Sequence, residues 1–237
     1  IGACDWSSDV CSSDLRRVLE RTFFHDVLNT AGGIQGLAEL LPEMEPGEAG
    51  EVLRLIATNA QQLVDEVEAQ RQLMAAENHE LEASPTRIHP GELLGSLRES
   101  YRQQHIAADK EIVIAGPIPD ADFTADRTLL RRVLGNMIKN ALEAAAPGES
   151  VTLSCSAGKG HVRFSVHNPG EIPRDDQLQV FQRSFSTKGP GRGIGTYSMK
   201  MLTERYMGGT VGFTSDKREG TTFWAEYPLE PAGDPKR

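Results

Sequence analysis

Cysteine is scarce in this chain. Its three cysteines, Cys4, Cys11 and Cys155, stand among 237 residues. Their spacing offers neither a disulfide framework nor a metal-binding pair. That usage points to a reducing, cytoplasmic setting. Long apolar runs are missing as well. None approaches the ~20 residues that cross a bilayer as a helix. No secretory leader is visible, so no membrane contact is expected from this stretch, and an anchor further upstream in the native protein stays open. Positive charge is in deficit: 25 Lys and Arg face 34 Asp and Glu, for a net charge of −9. This balance argues against non-specific binding to nucleic acid or anionic lipid. What is present, 38% hydrophobic and 25% charged residues, is the composition of an ordinary soluble protein with room for one or two domains.

Residues 1–15 stand apart. Asp5-Trp-Ser-Ser-Asp-Val-Cys-Ser-Ser-Asp-Leu15 carries no hydrophobic period. It resembles the in-frame translation of a sequencing-library adapter and is set aside as a non-native leader. A natural disordered leader is the alternative. On the first reading Cys155 is the one remaining thiol, in a strand-like segment.

Helical spacing begins after Leu15. Phe24, Val27, Ala31, Ile34, Ala38 and Leu41 recur three and four apart, a seam for a partner helix. Pro42 to Gly47 breaks it. Leu53, Ile56, Ala60, Leu63 and Val67 form a second seam. Two helices joined by a short turn make a hairpin that cannot bury both seams alone. A homodimeric four-helix bundle through residues 16–80 would cover them. Ser84-Pro85 opens a different composition. A strand is expected at Thr86–His89, a helix over 91–110, and a strand at 111–115. A helix follows over 126–145, then strands at 151–156 and 162–166. The stretch 169–195 is rich in Gly, Pro and charge. A helix over 195–206 and strands at 210–214 and 221–227 complete the pattern. Mixed strands with interleaved helices predict an α/β sandwich over 84–230, giving an α+β chain overall. The domains expected are therefore a leader (1–15), a helical hairpin (16–83), the sandwich (84–230) and a frayed tail (231–237).

Chemistry concentrates in four places. Asn136 and Asn140 are four apart in a helical stretch, so their carboxamides share one face. An Asn oxygen is a hard ligand that suits Mg²⁺. Gly191-Arg-Gly193-Ile-Gly195 precedes a helix. Its backbone N–H groups can approach phosphate, aided by the helix N-terminus, by Arg192, and by Thr196 as a cap. That glycine pattern alone serves flexible turns just as often. Asn168 ends a strand before Pro169-Gly170 and can accept from an adenine amino group through its carbonyl oxygen. Alone, it is as well read as a simple turn. Finally, His25-Asp26-Val-Leu-Asn29 sits at the edge of the first seam. A neutral exposed imidazole is a competent nucleophile, and an adjacent carboxylate can orient or take its other proton.

Together these segments resemble the transmitter region of bacterial sensor histidine kinases, of the GHKL ATP-binding superfamily. Asn136-Met-Ile-Lys-Asn140-Ala-Leu-Glu143 is similar to the N box and Asn168-Pro-Gly170 to the G1 box. Phe181 to Lys188 resembles the F box, Gly191 to Thr196 the G2 box, and Gly220-Thr221-Thr222-Phe223 the last glycine motif. His25 to Asn29 resembles the H box. The likeness runs through nearly all of residues 16–230. It implies ATP bound under a lid of about 171–192, with Asn136, Asn168, Gly170, Lys188, Gly191, Arg192, Gly193, Gly195, Thr196 and Thr221 around it. Asn140 would hold Mg²⁺. His25 would attack the γ-phosphorus with help from Asp26, and the phosphoryl group would pass to an aspartate of a response regulator receiver domain. Asn29 would place water for the reverse, phosphatase reaction.

Two departures bear on this. The family's G1 box carries Asp where Asn168 stands, so the acceptor oxygen is kept and the charge lost. Gly32, Gly33 and Gly36 each weaken the first helix by about 1 kcal/mol relative to Ala. Two other functions compete: a hydrolytic GHKL ATPase, and a non-enzymatic dimeric phosphotransfer or pseudokinase scaffold. The hydrolytic members carry a water-activating Glu where Asn136 stands, and an amide is a poor general base.

Overall fold

The structure is a computed structural model that describes residue 24 and residues 27–43, 46–182 and 194–230. The first helix, α1, is described over 27–40, and a 3₁₀ turn, Leu41–Glu43, follows at the expected break. The second, α2, runs from Pro46 to Glu77, 32 residues. It outlasts the second seam because its last turns pack elsewhere: Leu73 and Ala76 join the main core. Several seam residues are exposed, with Phe24 at 59%, Leu53 at 54% and Val67 at 43%.

A short antiparallel pair comes next in space: β1 (Pro85–Ile88) and β3 (Phe123–Asp126), with Ile88 opposite Phe123. Between them lie α3 (Pro90–Arg102) and β2 (Glu111–Ile114). Pro at the first turn suits α3, whose Leu93, Leu94 and Leu97 face the core. The helix expected over 91–110 stops at Arg102. A 3₁₀ turn at His105–Ala107 and a left-handed Asp109 (φ 61°) redirect the chain. Lys110 Nζ then donates to Leu142 O at 2.7 Å and Ile106 O at 3.3 Å. A cation there satisfies a last-turn carbonyl of the next helix, α4 (Arg127–Ala144), and complements its dipole.

The remaining elements are β4 (Ser150–Gly158), β5 (His161–Asn168), a one-turn α5 (Arg174–Gln177), α6 (Ile194–Met201), β6 (Thr210–Asp216) and β7 (Gly220–Pro228). A π turn, Leu202–Tyr206, extends α6. Five strands form one sheet in the order β2-β4-β5-β7-β6. Only β2 and β4 run parallel; the other neighbours are antiparallel. Alternate residues face inward: Val151, Leu153 and Cys155; Val162, Phe164 and Val166; Phe223, Ala225 and Tyr227. Against that face lie α3, α4 and α6, which makes the expected α/β sandwich. Phe164 bridges the layers, with ring centroids 5.6 Å from Phe123 and 6.5 Å from Tyr227.

Besides Leu73 and Ala76, a hydrogen bond and a charge interaction link α2 to this body. Tyr206 Oη, aimed by the π turn, donates to Ala76 O at 2.6 Å. Burial lowers the pKa of the Arg132 guanidinium on α4, and the Glu68 carboxylate on α2 partly restores it.

Burial pushes the Cys155 thiol up to about 12. The neutral thiol is favoured in the fold, so at pH 8 the reactive thiolate is absent. In a chain carrying Cys4→Ser and Cys11→Ser, a thiol reagent at pH 8 should label Cys155 only on unfolding. The same shift makes stability fall as pH rises above the ordinary thiol value of 9.0 towards 12, because there the unfolded chain binds fewer protons. Rapid labelling of the folded chain would contradict the buried setting.

Candidate functional site

The site is built on α4. Asp126, one residue earlier than the helix proper, caps it: Oδ1 accepts from Thr128 N at 2.8 Å and Leu129 N at 2.9 Å. Its other oxygen accepts from Ser84 N at 2.8 Å. Leu130, Leu134, Met137, Ile138, Ala141 and Leu142 are all buried, which fixes the helix rotation. Asn136 and Asn140 are left half-buried at its edge. Asn136 Nδ2 donates to Gly195 O at 3.3 Å. The start of α6 is thereby joined to the paired-Asn helix. Asn140 has no hydrogen-bond partner among the described residues, so its carbonyl oxygen is available. Just before Asn136, Gly135 leaves room for Tyr101, whose hydroxyl donates to Gly135 O at 3.1 Å.

The other end of the site is the turn after β5. Asn168 is 2% exposed and pairs across the ladder with Thr221. Its Nδ2 donates to Gly170 O at 3.3 Å, which leaves Oδ1 as the acceptor. A Cβ on Gly170 would sit 3.2 Å from Ala144 O at the end of α4. A relay of hydroxyls holds this turn. Ile172 N donates to Ser215 Oγ at 2.8 Å, and Thr221 Oγ1 donates to Gly170 O at 2.7 Å. Ser215 and Thr221 hydroxyls lie 2.7 Å apart, and with Thr221's proton already used, Ser215 is the donor between them. Gln177 Nε2 adds bonds to Ile172 O at 2.8 Å and Ser215 O at 3.2 Å. Thr221, expected at the ligand, is 2% exposed and braces this turn.

Gly220 presses on the same turn from below. Its φ is +73°, and an added Cβ would lie 2.4 Å from Asn168 O and 2.8 Å from Pro169. Beyond the turn, Phe181 packs on Phe213 and Phe223 with centroids 5.8 and 6.4 Å away. This anchors the near end of the segment that continues past residue 182.

Several expected residues need separate report. His25, Asp26, Lys188, Gly191, Arg192 and Gly193 lie outside the described residues. Asn29 is on α1 and exposed. Thr196 does not cap α6: the helix already starts at Ile194, so Thr196 is its third residue. The long stretch 169–195 contains α5, which the sequence did not announce. Ser215 and Gln177 were not anticipated at all. A serine in a strand and a glutamine in a charged turn carry no local signal of a role. Among the described residues no group of three or more His, Cys, Asp and Glu is placed to hold a metal.

Comparison with known proteins agrees with this geometry. Residues 125–231 match the family described as histidine kinase-, DNA gyrase B-, and HSP90-like ATPase. Sensor histidine kinase ZraS of Escherichia coli (strain K12) is 27% identical over 210 residues, 86% of this chain and 44% of ZraS. Sensor protein IrlS of Burkholderia pseudomallei (strain K96243) is 31% identical over 132 residues, 53% of this chain and 28% of IrlS. The chain thus spans less than half the length of these two relatives. The catalytic domain of histidine kinase ThkA superposes with a TM-score of 0.56 at 25% identity, over 62% of this chain and 97% of that domain. Residues 125–231 accordingly form an α/β sandwich of the histidine kinase, DNA gyrase B and HSP90 ATPase type.

Proposed function

We propose that this chain is the transmitter part of a sensor histidine kinase, which binds ATP with Mg²⁺ and transfers the terminal phosphoryl group to His25. One observation carries the nucleotide site. Gly170 lies beside Ala144 and Gly195 beside Asn136, positions eight residues apart along α4. At 1.5 Å per residue that is about 12 Å, the scale of a nucleotide from base to phosphates. Asn168 Oδ1 stands at one end to accept from an adenine amino group. At the other end nothing among the described residues requires glycine at 195: an added Cβ would meet Asn136 only at 3.8 Å, an ordinary contact. The space it leaves suits a phosphate.

The residues present fit a magnesium nucleotide. Asn140 offers a free hard oxygen, which suits an ion that keeps waters and shares phosphate oxygens. Bound magnesium supplies charge neutralisation at the phosphates. Lys188, Arg192 and the glycines at 191 and 193 would complete the phosphate contacts. Asp26 would hold or accept the second imidazole proton of His25 during attack, and Asn29 would place water for the reverse reaction. Exposed seam residues such as Phe24 and Leu53 favour a homodimer through residues 16–80. The phosphoryl acceptor would be an aspartate on a response regulator receiver domain; ThkA itself has been solved in complex with response regulator protein TrrA.

The amide at position 136 favours transfer to a protein nucleophile over hydrolysis. Incubation with Mg²⁺ and ATP labelled on its terminal phosphate separates the readings. Protein-bound label, stable to base and lost in acid, is the expected result. Free phosphate without bound label would make the chain a hydrolytic ATPase, and neither product would leave a scaffold.

A further inference from the structure

The five-stranded sheet has an open end at β2. Ala115 N and Glu111 N bond towards β4, at 2.9 Å to Leu153 O and 3.2 Å to Glu149 O. Alternation then turns the main-chain groups of Ile112 and Ile114 outward, where no described backbone group pairs with them. A cleft of about 310 Å³ runs along this edge. Its far wall is α3, which supplies Arg98 and Arg102, and Lys110 closes one end.

The charges are unusual for the molecule. Within a chain of net charge −9, this cleft gathers three cations against one carboxylate, Glu111. Glu111 shares the strand face of Val113, opposite to the buried Ile112 that points towards the helices. The carboxylate therefore leaves the α3 side of the cleft wholly cationic. Lys110 is committed to helix carbonyls. Arg98 and Arg102 have no ion pair among the described residues. The Arg98 Nε is buried without a hydrogen-bond partner, a costly state unless something else supplies an acceptor.

We propose that the β2 edge, flanked by Arg98 and Arg102, accepts an extended acidic segment of a partner protein as an added sixth strand. Spacing supports the match. The two arginines are one helical turn apart, about 6 Å along α3. Carboxylates at alternate positions of an added strand are about 6.6 Å apart on one face. Main-chain bonds to Ile112 and Ile114 would give affinity, and the arginine pair would select acidic side chains. Cations can also guard a sheet edge, but guarding charges usually sit on the edge strand. Here they come from the neighbouring helix and line a cleft beside it. Asn136, Asn140 and Asn168 do not line this cleft, and the proposal does not depend on the nucleotide reading.

The test uses the full chain and a fluorescent six-residue peptide of alternating Val and Glu, read by anisotropy at low salt. Two further peptides carry N-methyl groups on alternate residues, one in each phase, and another replaces Glu by Gln. The parent peptide and one methylated phase should bind, while the other phase should not, because only one set of amides faces the edge. The Gln peptide, and Arg98→Gln with Arg102→Gln in the chain, should each weaken binding about tenfold or more. Equal binding of both methylated phases would mean a bare anion patch and overturn the added strand. Absence of binding by the parent peptide would overturn the proposal outright. The methylated peptides decide the matter on unaltered protein, so misfolding of a variant cannot obscure it.

Discussion

His25→Gln is expected to reduce acid-labile phosphoryl incorporation from ATP to background. Glutamine keeps a polar, hydrogen-bonding side chain of similar reach. It lacks the imidazole lone pair that would attack phosphorus, so transfer has no acceptor. The nucleotide contacts argued above lie on α4, the β5 turn and the start of α6, far along the chain from position 25. ATP affinity should therefore change by less than about twofold, as for independent sites. That pairing of lost label with kept binding distinguishes a missing acceptor from a damaged fold. Asp26→Asn should leave the acceptor in place and slow labelling by roughly 10²-fold or more, the usual scale for a lost proton-transfer partner. Undiminished label in His25→Gln would place the acceptor elsewhere and end this reading of the first helix.

The second large effect belongs to Gly220→Ala. Position 220 has φ +73°, and the new Cβ would fall 2.4 Å from Asn168 O and 2.8 Å from Pro169 backbone atoms. Those neighbours are main chain and cannot rotate away. A non-glycine residue there stores about 1–3 kcal/mol of backbone strain before the collision is counted. The collision pushes on the turn that carries Asn168 and Gly170. A midpoint drop of about 5 °C or more on heating is expected, with nucleotide binding weakened at least about tenfold because the base acceptor is displaced. Gly148→Ala is the control: φ there is +84°, yet nothing lies within 4 Å of an added Cβ. It should lower stability through strain alone and leave nucleotide affinity unchanged. A folded Gly220→Ala chain with full nucleotide affinity would show that the Asn168–Gly170 turn does not hold the base.

Much of this architecture was legible from spacing alone, and the misses have physical causes. The helix of Asn136 and Asn140 was evident because Leu130, Val133, Leu134, Met137 and Ile138 repeat at helical intervals; its cap by Asp126 emerged only in the structure. The strands at 151–156 and 162–166 were read correctly and are longer in the structure, Ser150–Gly158 and His161–Asn168; their pairing as a hairpin was not read. In contrast, Phe123–Asp126 was not read as a strand. It has four residues, and its partner Pro85–Ile88 is about forty residues upstream. Nothing local rewards such a pair; burial of Ile88 and Phe123 does. The helix after Pro90 was extended too far for the same kind of reason. Its apolar face ends at Leu97 and Tyr101, and only the capping of α4 by Lys110 explains where the chain must turn. The π turn at Leu202–Tyr206 was not read from the sequence; it ends at Tyr206, whose hydroxyl donates to Ala76 O across 130 positions.

The site divides along the same line. Residue chemistry on one element could be read directly: two amides on one helical face, a run of alternate glycines, an imidazole beside a carboxylate. These follow from periodicity, which is a property of neighbours in the chain. Only the tertiary structure placed Gly195 against Asn136 and Gly170 against Ala144, and so set the length of the space between them. It alone recruited Ser215 and Gln177 to brace the turn and set Arg98 and Arg102 beside an open strand. Such meetings are driven by burial of surface contributed from distant segments, and local conformational preference carries no trace of them.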